Sequence, residues 1–269
     1  MAIIALAEFL FIIYLVYQLL SLQSDNKLKA FIPRKFSKED GEARTYSWTL
    51  DSSQNTKLKG HLTLRFNLQY IEELRRANPY LVTVGERDNV SNLKQMYFYM
   101  LNHPETVSNL VQIVQYINRE CSRYGVREFD KLQFVLDFVQ EPNIKYAYDE
   151  DCGEINNIRE YVRFPDETLY DRRGDCDCKS FLAASLFHLM GYNVLYMLSY
   201  KQRHAAICVE YDPRWQVLLQ NKKKLSDMYV EIAGRKYIFC ETTSDGFRIG
   251  GIDEDLSVKD FEIILELRA

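Results

Sequence analysis

Two stretches of strict alternation open the folded part of the chain. Arg44-Thr-Tyr-Ser-Trp-Thr-Leu50 and His61-Leu-Thr-Leu-Arg-Phe-Asn-Leu68 place apolar and polar side chains on opposite faces, with a Ser-Ser-Gln-Asn turn between them. A period of two predicts a β-hairpin with one buried face. The pattern then becomes helical. Tyr70 to Ala77 is a short helix ending before Pro79, and Thr106 to Tyr124 carries Val107, Leu110, Val111, Val114 and Ile117 at helical spacing, with Gly125 ending the run. A further helix, Asp130 to Gln140, presents Leu132, Val135, Leu136 and Val139 and stops before Pro142. The apolar run after Cys176 predicts a helix to Met190, with Gly191 as its stop. Strands are then expected at Asn193–Leu198, Ala205–Tyr211, Met228–Ile232 and Lys236–Glu241. Helices first and an antiparallel sheet afterwards is an α+β order.

The first residues are of another kind. Ala2 to Leu22 is almost wholly apolar, interrupted by Glu8 and Gln18, and about 20 such residues span a bilayer as a helix. No basic residue precedes the run and no small-x-small cleavage pattern follows it, which separates it from a secretory signal. Lys27, Lys29, Arg34, Lys35 and Lys38 follow, so the positive-inside rule places the body in the cytoplasm. The expected organisation is a single-pass anchor over 1–23, a linker over 24–42, a hairpin and helical leader over 43–105, and a main domain over 106–269.

Composition narrows the function classes. With 47% hydrophobic and 27% charged residues the chain can build a core. Its formal charge of -4 argues against nucleic acid as partner. No Gly-rich phosphate loop or internal repeat is seen, and no acidic Ca²⁺ loop, so no cofactor is expected. Six scattered cysteines read as free thiols rather than a disulfide framework, in keeping with a reducing compartment. Oligomeric state is not legible.

Arg172-Arg-Gly-Asp-Cys-Asp-Cys-Lys-Ser180 puts Cys176 at a helix N-terminus, where unpaired N–H groups and the helix dipole favour a thiolate. Asp175 is the natural N-cap. Downstream, His204, Ala206 and Cys208 share one face of a strand, and Glu241 shares a face with Tyr237 and Phe239. Were those strands to pair, histidine and glutamate could touch. A nucleophile, a base and an orienting carboxylate suffice for acyl chemistry. Against this stand plain alternatives: Cys176 as a small buried residue, His204 as one histidine among His61, His103 and His188, and Glu241 as a solvated strand end. Cys178 lies two residues from Cys176, so the two face different ways and one histidine cannot serve both; a core role or that of a redox bystander suits it. Zinc on Cys176, Cys178, Cys208 and Cys240 is disfavoured by the C-x-C gap and by the strand positions of the last two.

Taken in order, Phe138-Val-Gln before Ile144-Lys-Tyr146, Phe164-Pro-Asp-Glu-Thr-Leu169, Gly174-Asp-Cys-Asp177, Gly191-Tyr-Asn-Val, His204-Ala-Ala-Ile and Glu241-Thr-Thr with Gly246 and Ile249-Gly250 resemble the transglutaminase-like superfamily, rearranged relatives of papain. The resemblance covers roughly residues 106 to 250. It implies a papain-like α+β fold with Cys176 as nucleophile, His204 as general base and acid, and Glu241 as the orienting carboxylate. The family more often carries Asp at the last position, and many relatives carry Asp where Cys178 stands. What the resemblance implies is a membrane-anchored cysteine enzyme that cleaves amide or isopeptide bonds of a protein or peptide through a thioester, with hydrolysis ranked ahead of cross-linking. A catalytically silent scaffold of the same fold, or a thiol redox protein using Cys176 and Cys178, are the alternatives.

Overall fold

The computed structural model describes residues 41–54, 57–77, 89–149, 161–216 and 228–269. The expected membrane span and nearly all of the linker lie outside them. Among the described residues no helix is long and apolar enough to cross a membrane.

The hairpin forms from β1 (Glu42–Asp51) and β2 (Lys57–Phe66), so the strand starts inside what the pattern assigned to the linker. Its register puts Trp48 opposite Gly60, where a Cβ would lie 2.4 Å from the indole ring. Only a glycine lets that ring lie across the partner strand. Trp48 packs on Phe134 and Phe138 and donates its indole N–H to the Phe134 carbonyl at 3.0 Å. The helices are α1 (Leu68–Ala77), α2 (Asn89–Asn102), α3 (Pro104–Arg123), α4 (Glu128–Val139), α5 (Pro165–Asp171) and α6 (Cys176–Leu189). Helix α2 was not foreseen, although Leu93, Met96, Tyr97 and Met100 fall at helical spacing and are buried. The sequence there opens Asn-Val-Ser-Asn, and Asn and Ser are residue types that weaken a helical signal. Helix α6 ends as expected. Gly191, at φ +89°, donates to the His188 carbonyl, and Tyr192 N–H reaches back to Phe187, the paired bonds of a left-handed stop.

A short parallel pair joins β3 (Lys145–Tyr146) to β4 (Arg173–Gly174). The main sheet holds β5 (Val194–Ser199), β6 (His204–Glu210), β7 (Tyr229–Ile232), β8 (Arg235–Cys240) and β9 (Glu262–Leu267), all antiparallel, in the order β7-β8-β6-β5-β9. The described residues are therefore mixed α and β, with the hairpin and the main sheet antiparallel, as the element order implied. Strand β9 was not foreseen. The sheet's two faces differ. Tyr196, Ala205, Ile207, Val209, Ile238 and Cys240 join the helical core with Phe181, Leu182 and Leu186 of α6. Leu195, Met197, Ala206, Cys208, Tyr237 and Phe239 form a second cluster, covered by Ile252, Val258 and Phe261 from the segment before β9. The hairpin shares the first core with the helices, so residues 41–269 make one unit.

Candidate functional site

Strands β6 and β8 pair, with Ile207 opposite Cys240 and Cys208 opposite Phe239. That register brings the beginning of β6 alongside the residues just past β8. His204 Nε2 and Glu241 Oε2 lie 2.9 Å apart, with the carboxylate buried and the imidazole 14% exposed. Glu241 is held on its other oxygen too: Thr243 donates its N–H at 2.9 Å and its hydroxyl at 2.7 Å to Oε1. Burial pushes the Glu241 carboxyl up, but the bond to His204, its charge and the two Thr243 donors outweigh this, and the group lies below the usual glutamate value. With Nε2 engaged by a carboxylate, Nδ1 is the nitrogen left to trade a proton elsewhere. Phe261 meets the imidazole edge-on, centroids 6.1 Å apart.

Cys176 is the first residue of α6, half-buried, whereas Cys121, Cys178, Cys208 and Cys240 are buried. Asp175 caps the helix, its carboxylate accepting from the Cys178 N–H at 3.4 Å. The stretch leading to the cap is pinned by β3, since Lys145 N–H bonds the Arg172 carbonyl and Ala147 N–H bonds that of Gly174. Tyr146 on β3 has its phenol pushed well up, first by burial and then by the charges of Cys176 and Asp175.

Two bonds tie this helix end to the His204–Glu241 corner. Ser180, one turn past Cys176 and on the same helical face, donates to the Ala205 carbonyl at 3.2 Å and shares a 2.9 Å bond with the Thr242 hydroxyl. Ala205 and Thr242 are the neighbours in sequence of His204 and Glu241. The thiol-bearing face of α6 is thus docked onto the residues that flank the imidazole and the carboxylate. Gln140, the C-cap of α4, donates to the Glu241 carbonyl at 2.9 Å and to that of Phe247 at 3.1 Å, and Gln133 within the helix receives the Ile249 N–H at 2.8 Å.

The second thiol serves elsewhere. Cys178 Sγ accepts the Arg163 N–H at 3.3 Å and donates to the Tyr161 carbonyl at 3.4 Å. Burial drives its titration far above that of a free thiol. Gly174 must approach it closely: a Cβ there would sit 2.6 Å from the Cys178 Cβ. Asp175, Asp177 and Cys178 place donor atoms within 4.8 Å of one another, but the cap and these thiol bonds already engage two of the three. Asp166 and Glu167 lie in the first turn of α5. Glu167 takes the Phe164 N–H at 2.9 Å and the Tyr161 hydroxyl at 2.7 Å.

Sequence reasoning missed Lys179, Ser180, Gln140 and Thr243. For Ser180 a signal existed, a hydroxyl four residues after the thiol and so on the same helical face. Compared with known proteins, the chain matches no family model and no curated protein.

Proposed function

We propose that the chain is a membrane-tethered cysteine enzyme of the transglutaminase-like, papain-related type, acting on amide or isopeptide carbonyls of a protein or peptide. The observation that carries this reading is the 2.9 Å bond between His204 and Glu241 at the sheet corner onto which Ser180 docks the Cys176 turn. In this reading His204 takes the thiol proton and the Cys176 sulfur attacks the carbonyl carbon. The helix-terminal N–H of Cys176, which has no acceptor within its own helix, is placed to bond the developing oxyanion. The C–N bond then breaks, the amine leaves with the proton held by His204, and a thioester remains. Water, deprotonated by His204, releases the acid and the thiol; an amine in place of water yields a new amide. Hydrolysis is the ranked outcome. Glu241 keeps the ring oriented and steadies its positive charge. The segment 1–23 supplies the tether, with the body on the cytoplasmic side.

Mapping of iodoacetamide labelling at near-neutral pH tests the reading. Cys176 should react at least about tenfold faster than Cys121, Cys178, Cys208 and Cys240, and His204→Ala should erase most of that advantage. Equal labelling of all five, or an unchanged rate in His204→Ala, would leave a silent scaffold. Cys178→Ala should keep the Cys176 rate; its loss, together with a Cys176–Cys178 disulfide on mild oxidation, would favour redox chemistry instead.

A further inference from the structure

Three residues after Cys176, helix α6 carries a lysine with no solvent exposure. Lys179 Nζ donates to the carbonyl of Ile144 at 2.9 Å and to that of Thr243 at 2.7 Å. Both acceptors are neutral peptide oxygens. Among the described residues the ammonium has no ion-pair partner, and the carboxylates of Glu141, Glu241 and Asp245 act on it from farther off. An apolar side chain would fill such a place at lower desolvation cost. Burial brings the amine down to about 8, against the pull of those three carboxylates, so its charge is within reach of change under mild conditions.

The two acceptors belong to the segments that frame the site. Ile144 immediately precedes β3, whose Tyr146 ring feels the charge of Cys176. Thr243 is the residue whose N–H and hydroxyl hold Glu241, and Glu241 in turn holds His204. We propose that Lys179 is a positioning residue, its ammonium clamping the Ile144–Tyr146 segment and the Glu241–Thr243 corner onto the helical turn that bears Cys176. This rests on the reading of Cys176 as nucleophile. Without the clamp Thr243 loses its anchor, the carboxylate holds the imidazole less firmly, and the thiolate loses its nearby positive charge. The thiol then gives up its proton less readily.

The test is the pH profile of Cys176 alkylation by iodoacetamide in the full chain, in detergent, alongside melting temperature. Lys179→Met should raise the midpoint by about one unit, lowering the rate about tenfold at pH values well below the midpoint, while Lys179→Arg restores most of it. A residue that only supports the fold would lower the melting temperature and leave the midpoint in place; that result overturns the proposal. Should Lys179→Met fail to fold, Thr243→Val decides. It keeps the carbonyl that Lys179 bonds but removes a donor from Glu241, and it should move the midpoint the same way by less. No movement would break the chain from Lys179 to Glu241. If wild-type Cys176 labels no faster than the buried thiols, the enzymatic reading itself has failed, and this inference with it.

Discussion

Two buried glutamates, Glu241 just past β8 and Glu167 in the first turn of α5, are shifted in opposite directions by folding. Burial pushes both carboxyls up. At Glu167 it prevails over the Tyr161 hydroxyl, the Phe164 N–H and the arginines 163 and 75, and the group titrates above the usual value. At Glu241 it loses to His204 and Thr243, and the group titrates below it. The arginine beside Glu167 stands off at 3.8 Å and spends its close contact, 2.8 Å, on Asp171. Glu241 has the imidazole at 2.9 Å and two Thr243 donors on its other oxygen. Both carboxyls have two neutral donors in contact, so the imidazole held at bonding distance, rather than a guanidinium standing off, decides which one stays ionised. Only the first arrangement suits a group that must steady an imidazolium.

The largest expected effect lies at the structural glutamate. Glu167→Ala strands the Tyr161 hydroxyl and the Phe164 N–H and should cost about 3–5 kcal/mol in urea unfolding. Glu167→Gln can accept the Phe164 N–H on its one oxygen and donate from its amide to the Tyr161 oxygen, so it should cost markedly less. Equal losses would mean that charge, not contact, governs this site, and the contrast with Glu241 would collapse.

Glu241→Gln should cost about 1.5–3 kcal/mol at pH 7, as for bonds to a charged group. The sign with pH follows from the lowered carboxyl. Its contribution is complete above the unfolded value of 4.5 and disappears as pH falls through the folded one. Wild type and variant should therefore converge in stability as pH falls below 4.5 and through the lowered folded value. For Glu167 the shift is upward, so its ionisation costs stability as pH rises from 4.5. Unfolding measured across this range should give the two Gln variants opposite pH slopes relative to wild type; matching slopes would contradict the assignment.

Ser180→Ala should be the mildest, about 0.5–1.5 kcal/mol for the lost bonds to Ala205 and Thr242. It should nonetheless slow Cys176 labelling while leaving the other thiols unaffected. A change in stability alone would show that docking of α6 does not tune the thiol.

Much of this architecture could be read from one sequence because it is written in local periodicity. The alternating hairpin, the helix that stops before Pro142, the cap at Asp175 and the stop at Gly191 depend on residues close in the chain. The bond between His204 and Glu241 was half legible: alternation put each on a face, but only long-range pairing of β6 with β8 shows that the faces coincide. Strand β9 escaped because its partner β5 lies far back in the chain, Leu198 pairing with Glu262 and Val194 with Leu267, and its sequence, Glu-Ile-Ile-Leu-Glu-Leu, is as compatible with a helix. Lys179 escaped for a different reason. A lysine in a helix reads as solvated, and nothing local reveals that two carbonyls from distant loops will replace its water. Glu167 is similar, its burial made tolerable by Tyr161 and Phe164 upstream.

The place of β9 has a consequence for anyone trimming this protein. With it present, β5 is flanked on both sides by hydrogen-bonded neighbours. A chain cut before Glu262 would bare one edge of Val-Leu-Tyr-Met-Leu-Ser, a run without charge or proline to discourage pairing with another molecule. Such a fragment should form intermolecular β-structure and precipitate, even though every residue of the candidate site would still be on it.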